Sequence, residues 1–96
     1  MTSTQDAKFD YDPPAKWRLG EVTLGDVREM GCEVAVLPMG ATEPHNLHLP
    51  YGTDSLQAWH LADGCCQKAN KLGGKVLQLP VIPYGTETNL REFPLA

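Results

Sequence analysis

Two short apolar runs, separated by one long stretch with helical periodicity, constrain the fold of this chain more than any other feature of its sequence. The first run lies in residues 33–39 and the second in residues 75–79, and a proline, Pro38 or Pro80, closes each of them. Apolar runs without alternation are typical of strands that a parallel sheet covers on both faces. The pattern predicts a strand, a helix and a second, parallel strand, which together form a βαβ unit.

The long helix is predicted to begin at a cap, Thr53 or Asp54, and to run to about Leu72, where Gly73 and Gly74 end it. Apolar residues recur along it at spacings of three and four and predict the face that packs on the sheet: Leu56, Trp59, Ala62, Cys66 and Ala69. The polar positions between them are expected to face water: Gln57, Asp63 and Lys68.

A shorter helix and a polar arm precede the first strand. Thr23 is a suitable cap for a helix through Met30, which Gly31 is placed to end. Residues 1–15 are polar and aperiodic, so we expect an extended N-terminal arm there. Residues 16–96 are then expected to form part of one domain.

Composition excludes several classes of protein. The net charge is −4, from twelve acidic and eight basic residues, without a basic run, so a nucleic-acid partner is not expected. No stretch approaches the roughly 18 apolar residues of a membrane span, and the first residues do not resemble a signal peptide. We expect a cytoplasmic chain with no membrane association. Three cysteines, an odd number without Cys-x-x-Cys spacing, argue against both a disulfide framework and a thiolate zinc site.

The loop after the first strand, residues 40–54, is unusually rich in side chains that can bind a metal ion. It holds two imidazoles and two carboxylates, on Glu43, His45, His48 and Asp54. Both loops that follow the strands leave from the carboxyl edge of the sheet, where ligands of such sheets bind. In extended backbone, Glu43 and His45 point to the same side, and carboxylate oxygen with imidazole nitrogen suits zinc or manganese.

The residues alone leave a second interpretation open. Asp54 can be only a helix cap, Glu43 a solvated charge and the histidines polar loop residues. A nucleotide-binding βα unit is less consistent with the sequence, because the loop lacks both a G-x-G-x-x-G pattern and a Walker lysine.

A longer pattern resembles the signature of the creatininase (creatinine amidohydrolase) family, roughly LP-x-G-x-x-E-x-H-G-x-HLP-x-x-TD. The matching residues are Leu37, Pro38, Gly40, Glu43, His45, His48, Leu49, Pro50, Thr53 and Asp54. A second match to the family runs from Leu79 through Pro83, Tyr84 and Gly85 to Phe93 and Pro94. The resemblance implies the N-terminal part of a creatininase-like fold, a parallel sheet flanked by helices in three α/β/α layers.

By that resemblance, Glu43, His45 and Asp54 correspond to ligands of a two-ion site for zinc, manganese or both, with Asp54 bridging the ions. His48 would orient a ligand or line the mouth of the site, and Asn46 would lie beside the pocket. The implied activity is hydrolysis of a carbon–nitrogen bond in a small amide or cyclic amide. The implied assembly is a homo-oligomer, often a hexamer. No residue is assigned as a catalytic acid or base.

Departures from the family pattern limit what the resemblance implies. Asn46 and Leu95 stand where glycine is usual, Pro44 replaces a polar residue, and residues 86–92 lack a histidine common in the family. The substrate is therefore not predicted to be creatinine itself. The family's remaining ligands belong beyond Ala96, so we expect a truncated N-terminal portion. The alternative function is a non-catalytic fragment that serves as an oligomerisation or interaction unit and binds metal weakly at most.

Overall fold

A computed structural model describes residues 15–85, 90 and 92–95 of the 96-residue chain. The predicted N-terminal arm therefore lies outside the described residues, except for Ala15. That residue is buried, and its backbone N–H donates to Glu21 Oε1 at 2.9 Å.

Five elements follow one another along the described chain. They are a 3-10 helix (Leu19–Glu21), helix α1 (Leu24–Met30), strand β1 (Val34–Val36), helix α2 (Thr53–Lys71) and strand β2 (Val76–Gln78). Helix α1 has the predicted limits. The Thr23 hydroxyl accepts from the Asp26 N–H, and the Asp26 carboxylate accepts from the Thr23 N–H. Gly31 ends α1 in the left-handed conformation that only glycine adopts without strain, with φ of +66°.

The two strands pair in parallel, as the βαβ pattern predicts. Val34, Ala35 and Val36 stand opposite Val76, Leu77 and Gln78, and α2 connects the strands and packs against β2. The predicted α/β class is therefore confirmed. None of the described helices is both long and apolar enough to span a lipid bilayer.

The two strands differ in burial, and one expectation about them is wrong. All three residues of β2 are buried, but β1 is largely exposed, with Val34 51% accessible. The difference follows from position in the sheet. Arg18 forms a parallel bridge to Gln78, so the lead-in segment covers one edge of β2 while β1 covers the other. Within the described residues β1 is thus an edge strand, and it is not covered on both faces.

Helix α2 confirms the centre of its predicted apolar face and corrects its beginning. Ala62 and Cys66 are buried against the sheet, and burial raises the pKa of the Cys66 thiol. Leu56, predicted to share that face, is instead 55% exposed. Gly52 occupies the N-cap position, so neither Thr53 nor Asp54 is the cap, and Asp54 lies in the first turn.

A polar network ties the lead-in segment to α2. Arg18 donates to both carboxylate oxygens of Asp63, at 2.6 and 2.9 Å, and Trp17 Nε1 donates to the same carboxylate at 2.7 Å. The Arg18 guanidinium also lies 4.9 Å from the centre of the Trp59 ring. The prediction that Asp63 faces water is therefore wrong, because this carboxylate faces a cation at a partly buried junction.

Candidate metal centre

The loops that follow β1 and β2 leave the sheet side by side. Parallel pairing continues beyond the strands, since Leu79 N–H donates to Val36 O at 2.8 Å and Ile82 N–H donates to Pro38 O at 3.0 Å. Gly40 N–H then donates to Ile82 O at 2.8 Å. These bonds fix the start of the loop that contains Glu43 and His45 at the carboxyl edge of the sheet.

Gly40 brings this loop against the beginning of α2. A Cβ atom at position 40 would lie 2.5 Å from Ser55 Cα and 2.8 Å from Ser55 N, distances that packed atoms do not adopt. Only glycine allows the two backbones to approach this closely. Ser55 neighbours Asp54, so the contact brings the first turn of α2 next to the loop.

Three side chains converge where the loop meets the helix. His45 Nε2 lies 3.4 Å from Asp54 Oδ2 and 3.8 Å from Glu43 Oε1. One potential ligand atom from each residue lies within 4.8 Å of the other two. The Glu43 N–H donates to Tyr51 O at 3.2 Å, which holds the two arms of the loop together beside the cluster.

The arrangement fits a divalent cation. His45 Nε2 is buried and has no hydrogen-bond partner among the described residues, although such a buried polar atom normally has one. Donor atoms about 2.1 Å from a common ion lie about 3 to 4 Å apart, which matches the separations of His45 Nε2 from the two carboxylates. One imidazole nitrogen with carboxylate oxygens is a donor set suited to zinc or manganese.

The other two residues predicted near the site lie outside this cluster. Asn46 and His48 are both exposed. Asn46 adopts φ of +58°, which is a left-handed backbone conformation. Of the loop that lacks the family histidine, residues 86–89 and 91 lie outside the described part of the chain, and Glu92 is exposed.

Two side-chain hydrogen bonds join the loop after β1 to the loop after β2. The Thr42 hydroxyl donates to Pro83 O at 2.7 Å, and the Tyr51 hydroxyl donates to Pro94 O at 2.8 Å. Both bonds join the first loop to the second, across 41 and 43 residues of sequence. Neither follows a periodicity or a ligand spacing, so the sequence carries no signal for them beyond polar side chains in a proline-rich loop.

A parallel βαβ unit with clustered carboxylate and imidazole groups at its carboxyl edge defines an α/β protein with a candidate metal centre. The family model for creatininase, described as creatinine amidohydrolase, matches residues 20–96. The match covers most of the chain, which therefore belongs to the creatininase family, as its loop motif predicts. This is a family of metal-dependent amidohydrolases. No significant match was found among curated proteins or among solved structures.

Proposed function

We propose that this chain is a metal-dependent hydrolase that acts on carbon–nitrogen bonds in small amides or cyclic amides. The observation that supports this most directly is the convergence of Glu43, His45 and Asp54, with ligand atoms within 4.8 Å of one another. Family membership supplies the reaction class, and the donor set favours zinc or manganese.

The three side chains have complementary roles in this proposal. His45 offers a nitrogen donor through Nε2, while Glu43 and Asp54 contribute two negative charges that balance one divalent ion. Asp54 has two carboxylate oxygens and can serve a second ion as well. A pair of ions needs more donors than these three, so further groups would complete a two-ion site.

When bound, the ions would lower the pKa of water to near 7 and polarise the substrate carbonyl. The chain's own contribution is to hold the donors in place before the ions bind. The Gly40 approach and the Glu43 N–H bond to Tyr51 O fix the backbone, and the partly buried setting strengthens the attraction of the carboxylates for a cation.

Metal titration tests the proposed ligands. Isothermal titration of zinc and of manganese into the chelator-treated chain is expected to show binding that His45→Ala and Asp54→Ala weaken by at least about tenfold. His60→Ala is the matched control, because it removes an exposed imidazole on α2 that stacks edge-on against Trp59. Unchanged affinity in Asp54→Ala would refute the ligand assignment.

A second candidate function is an interaction unit without catalysis. Several large apolar side chains near the carboxyl edge are exposed, among them Leu47 at 99%, Leu95 at 87% and Tyr84 at 75%. Exposed apolar surface of this kind favours association, including the homo-oligomer that the family pattern implies. Amide hydrolysis in the presence of zinc or manganese, lost in Asp54→Ala, would exclude this candidate. Self-association by light scattering without hydrolysis would support it.

A further inference from the structure

The Thr42 side chain connects the loop that contains the candidate ligands Glu43 and His45 to the loop that follows β2. Its hydroxyl donates to Pro83 O at 2.7 Å in a partly buried setting. Thr42 directly precedes Glu43, while Pro83 belongs to the loop that follows β2. This hydrogen bond therefore joins the backbone next to a candidate ligand to a neighbouring loop.

The bond continues the pairing between the two loops. Backbone hydrogen bonds join them as far as Gly40, whose N–H donates to Ile82 O. Beyond Gly40 the two loops no longer pair through their backbones in the described residues. The Thr42 hydroxyl makes the next bond between them, to the carbonyl of Pro83, the residue after Ile82. Glu43 itself then turns to the other arm of its loop and donates to Tyr51 O.

We propose that Thr42 is a positioning residue for Glu43 in the metal centre; this inference rests on the proposed function. The Glu43 carboxylate must remain within a few ångströms of His45 Nε2 to share an ion with it, and the two groups are now 3.8 Å apart. Loss of the Thr42 hydroxyl leaves the Pro83 carbonyl without this donor and releases the backbone that carries Glu43. Groups that orient a metal ligand in this way are typically worth 10- to 100-fold in metal affinity.

The test compares Thr42→Val, which keeps the shape of the side chain but removes the hydroxyl, with Thr42→Ser, which keeps the hydroxyl. Cobalt(II) is the probe, because its visible absorption reports coordination geometry as well as affinity. Thr42→Val is expected to weaken cobalt binding by about tenfold and to alter the absorption spectrum. Thr42→Ser is expected to retain both. Thr42→Ala replaces Thr42→Val if the valine variant does not fold, as judged by circular dichroism.

Thr23→Ala is the control for a general loss of stability. It removes the side-chain cap of α1, where the Thr23 hydroxyl accepts from Asp26 N–H at 3.1 Å. Its urea midpoint is expected to fall while its cobalt affinity and spectrum stay unchanged. Wild-type affinity and spectrum in Thr42→Val, or in Thr42→Ala where that variant replaces it, would overturn the positioning role alone. An equal loss of cobalt affinity in Thr23→Ala would do the same. Failure of the wild-type chain to bind cobalt, zinc or manganese would overturn the proposed function as well.

Discussion

Two residues adopt a backbone conformation that their side chains disfavour. Among the described non-glycine residues, positive φ occurs at Asn46 (+58°) and Leu95 (+59°). These are the two positions at which the creatininase pattern usually has glycine. Left-handed backbone costs an L-residue roughly 1–2 kcal/mol, less for asparagine, whose side chain can hydrogen-bond locally. Asn46 thus adopts, at a position where the pattern has glycine, a backbone conformation that glycine adopts without strain.

Substitutions at Asn46 are expected to follow this preference. Asn46→Gly should leave the free energy of unfolding within about 0.5 kcal/mol of wild type, because glycine adopts positive φ freely. Asn46→Ala should lower it by about 1 kcal/mol, because alanine has neither that freedom nor a local hydrogen bond. Urea denaturation followed by circular dichroism measures both.

Leu95 is the second described non-glycine residue with positive φ, and a glycine there should relieve strain. It is 87% exposed, so Leu95→Gly removes little buried surface while relieving the left-handed strain, and it should not destabilise the chain.

If Asn46→Ala were as stable as Asn46→Gly, the left-handed conformation at position 46 would not be required.

At the scale of elements, the candidate site depends on how closely the loop after β1 approaches the first turn of α2. Asp54 is on the helix, while Glu43 and His45 are on the loop. Gly40, with no side chain, lies against the Ser55 backbone and sets the separation between these two elements. The glycine of the sequence motif thus acts through packing and without any contact with metal.

Gly40→Ala is therefore expected to separate the loop from the helix. The new Cβ would lie 2.5 Å from Ser55 Cα, which neither backbone can relieve by a side-chain rotation. We expect a loss of about 2–3 kcal/mol in the free energy of unfolding, from overpacking, together with weaker zinc binding. Urea denaturation and zinc titration of the same preparation measure the two effects.

Gly64→Ala is the matched control, since nothing lies within 4 Å of a Cβ at that position in α2. This variant should gain up to about 1 kcal/mol, from the higher helix propensity of alanine, and should bind zinc as wild type does. Equal stability of Gly40→Ala and wild type would show that the approach at Ser55 is not needed.

For the molecule as a whole, local sequence patterns predicted the helices and strands better than they predicted which residues of those elements are buried. The Thr23 cap, the glycine at position 31 and the apolar runs depend on near neighbours in sequence. They predicted α1, β1, β2 and the parallel pairing, which the structure confirms. Burial depends on distant partners. Exposure of Val34 and the ion pair of Asp63 could not be predicted, because both depend on where the lead-in segment pairs.

The candidate site likewise has features that local spacing predicted and features that it did not. The i, i+2 spacing of Glu43 and His45 predicted that they share a side, and the structure brings them together with Asp54. The supporting bonds of Thr42 and Tyr51 join segments about 40 residues apart and have no local signature. That Glu43, His45 and Asp54 bind a metal, and that Thr42 positions Glu43, are predictions that the binding experiments above test.

The Arg18–Asp63 ion pair makes the stability of the whole chain depend on pH. Hydrogen bonds from Arg18, reinforced by Trp17, hold the pKa of Asp63 below its usual range, and the same pair raises the pKa of Arg18. A carboxylate whose pKa is lower in the folded state stabilises that state above its unfolded pKa of about 3.9, and this contribution disappears as the pH falls through the folded pKa. The pair therefore favours folding at neutral pH and not in strong acid.

Asp63→Asn is expected to cost about 1–2 kcal/mol of unfolding free energy at pH 7, where charge-assisted hydrogen bonds at a partly buried site are lost. The difference from wild type should shrink as the pH falls from about 5 towards 2, because protonation of Asp63 in the wild-type chain removes the same interaction. Urea denaturation across this range measures it, and the Arg18→Met double-mutant cycle isolates the pairwise energy. A gap between wild type and Asp63→Asn that stays constant from pH 7 to pH 2 would mean that the Asp63 charge does not connect the lead-in segment to α2.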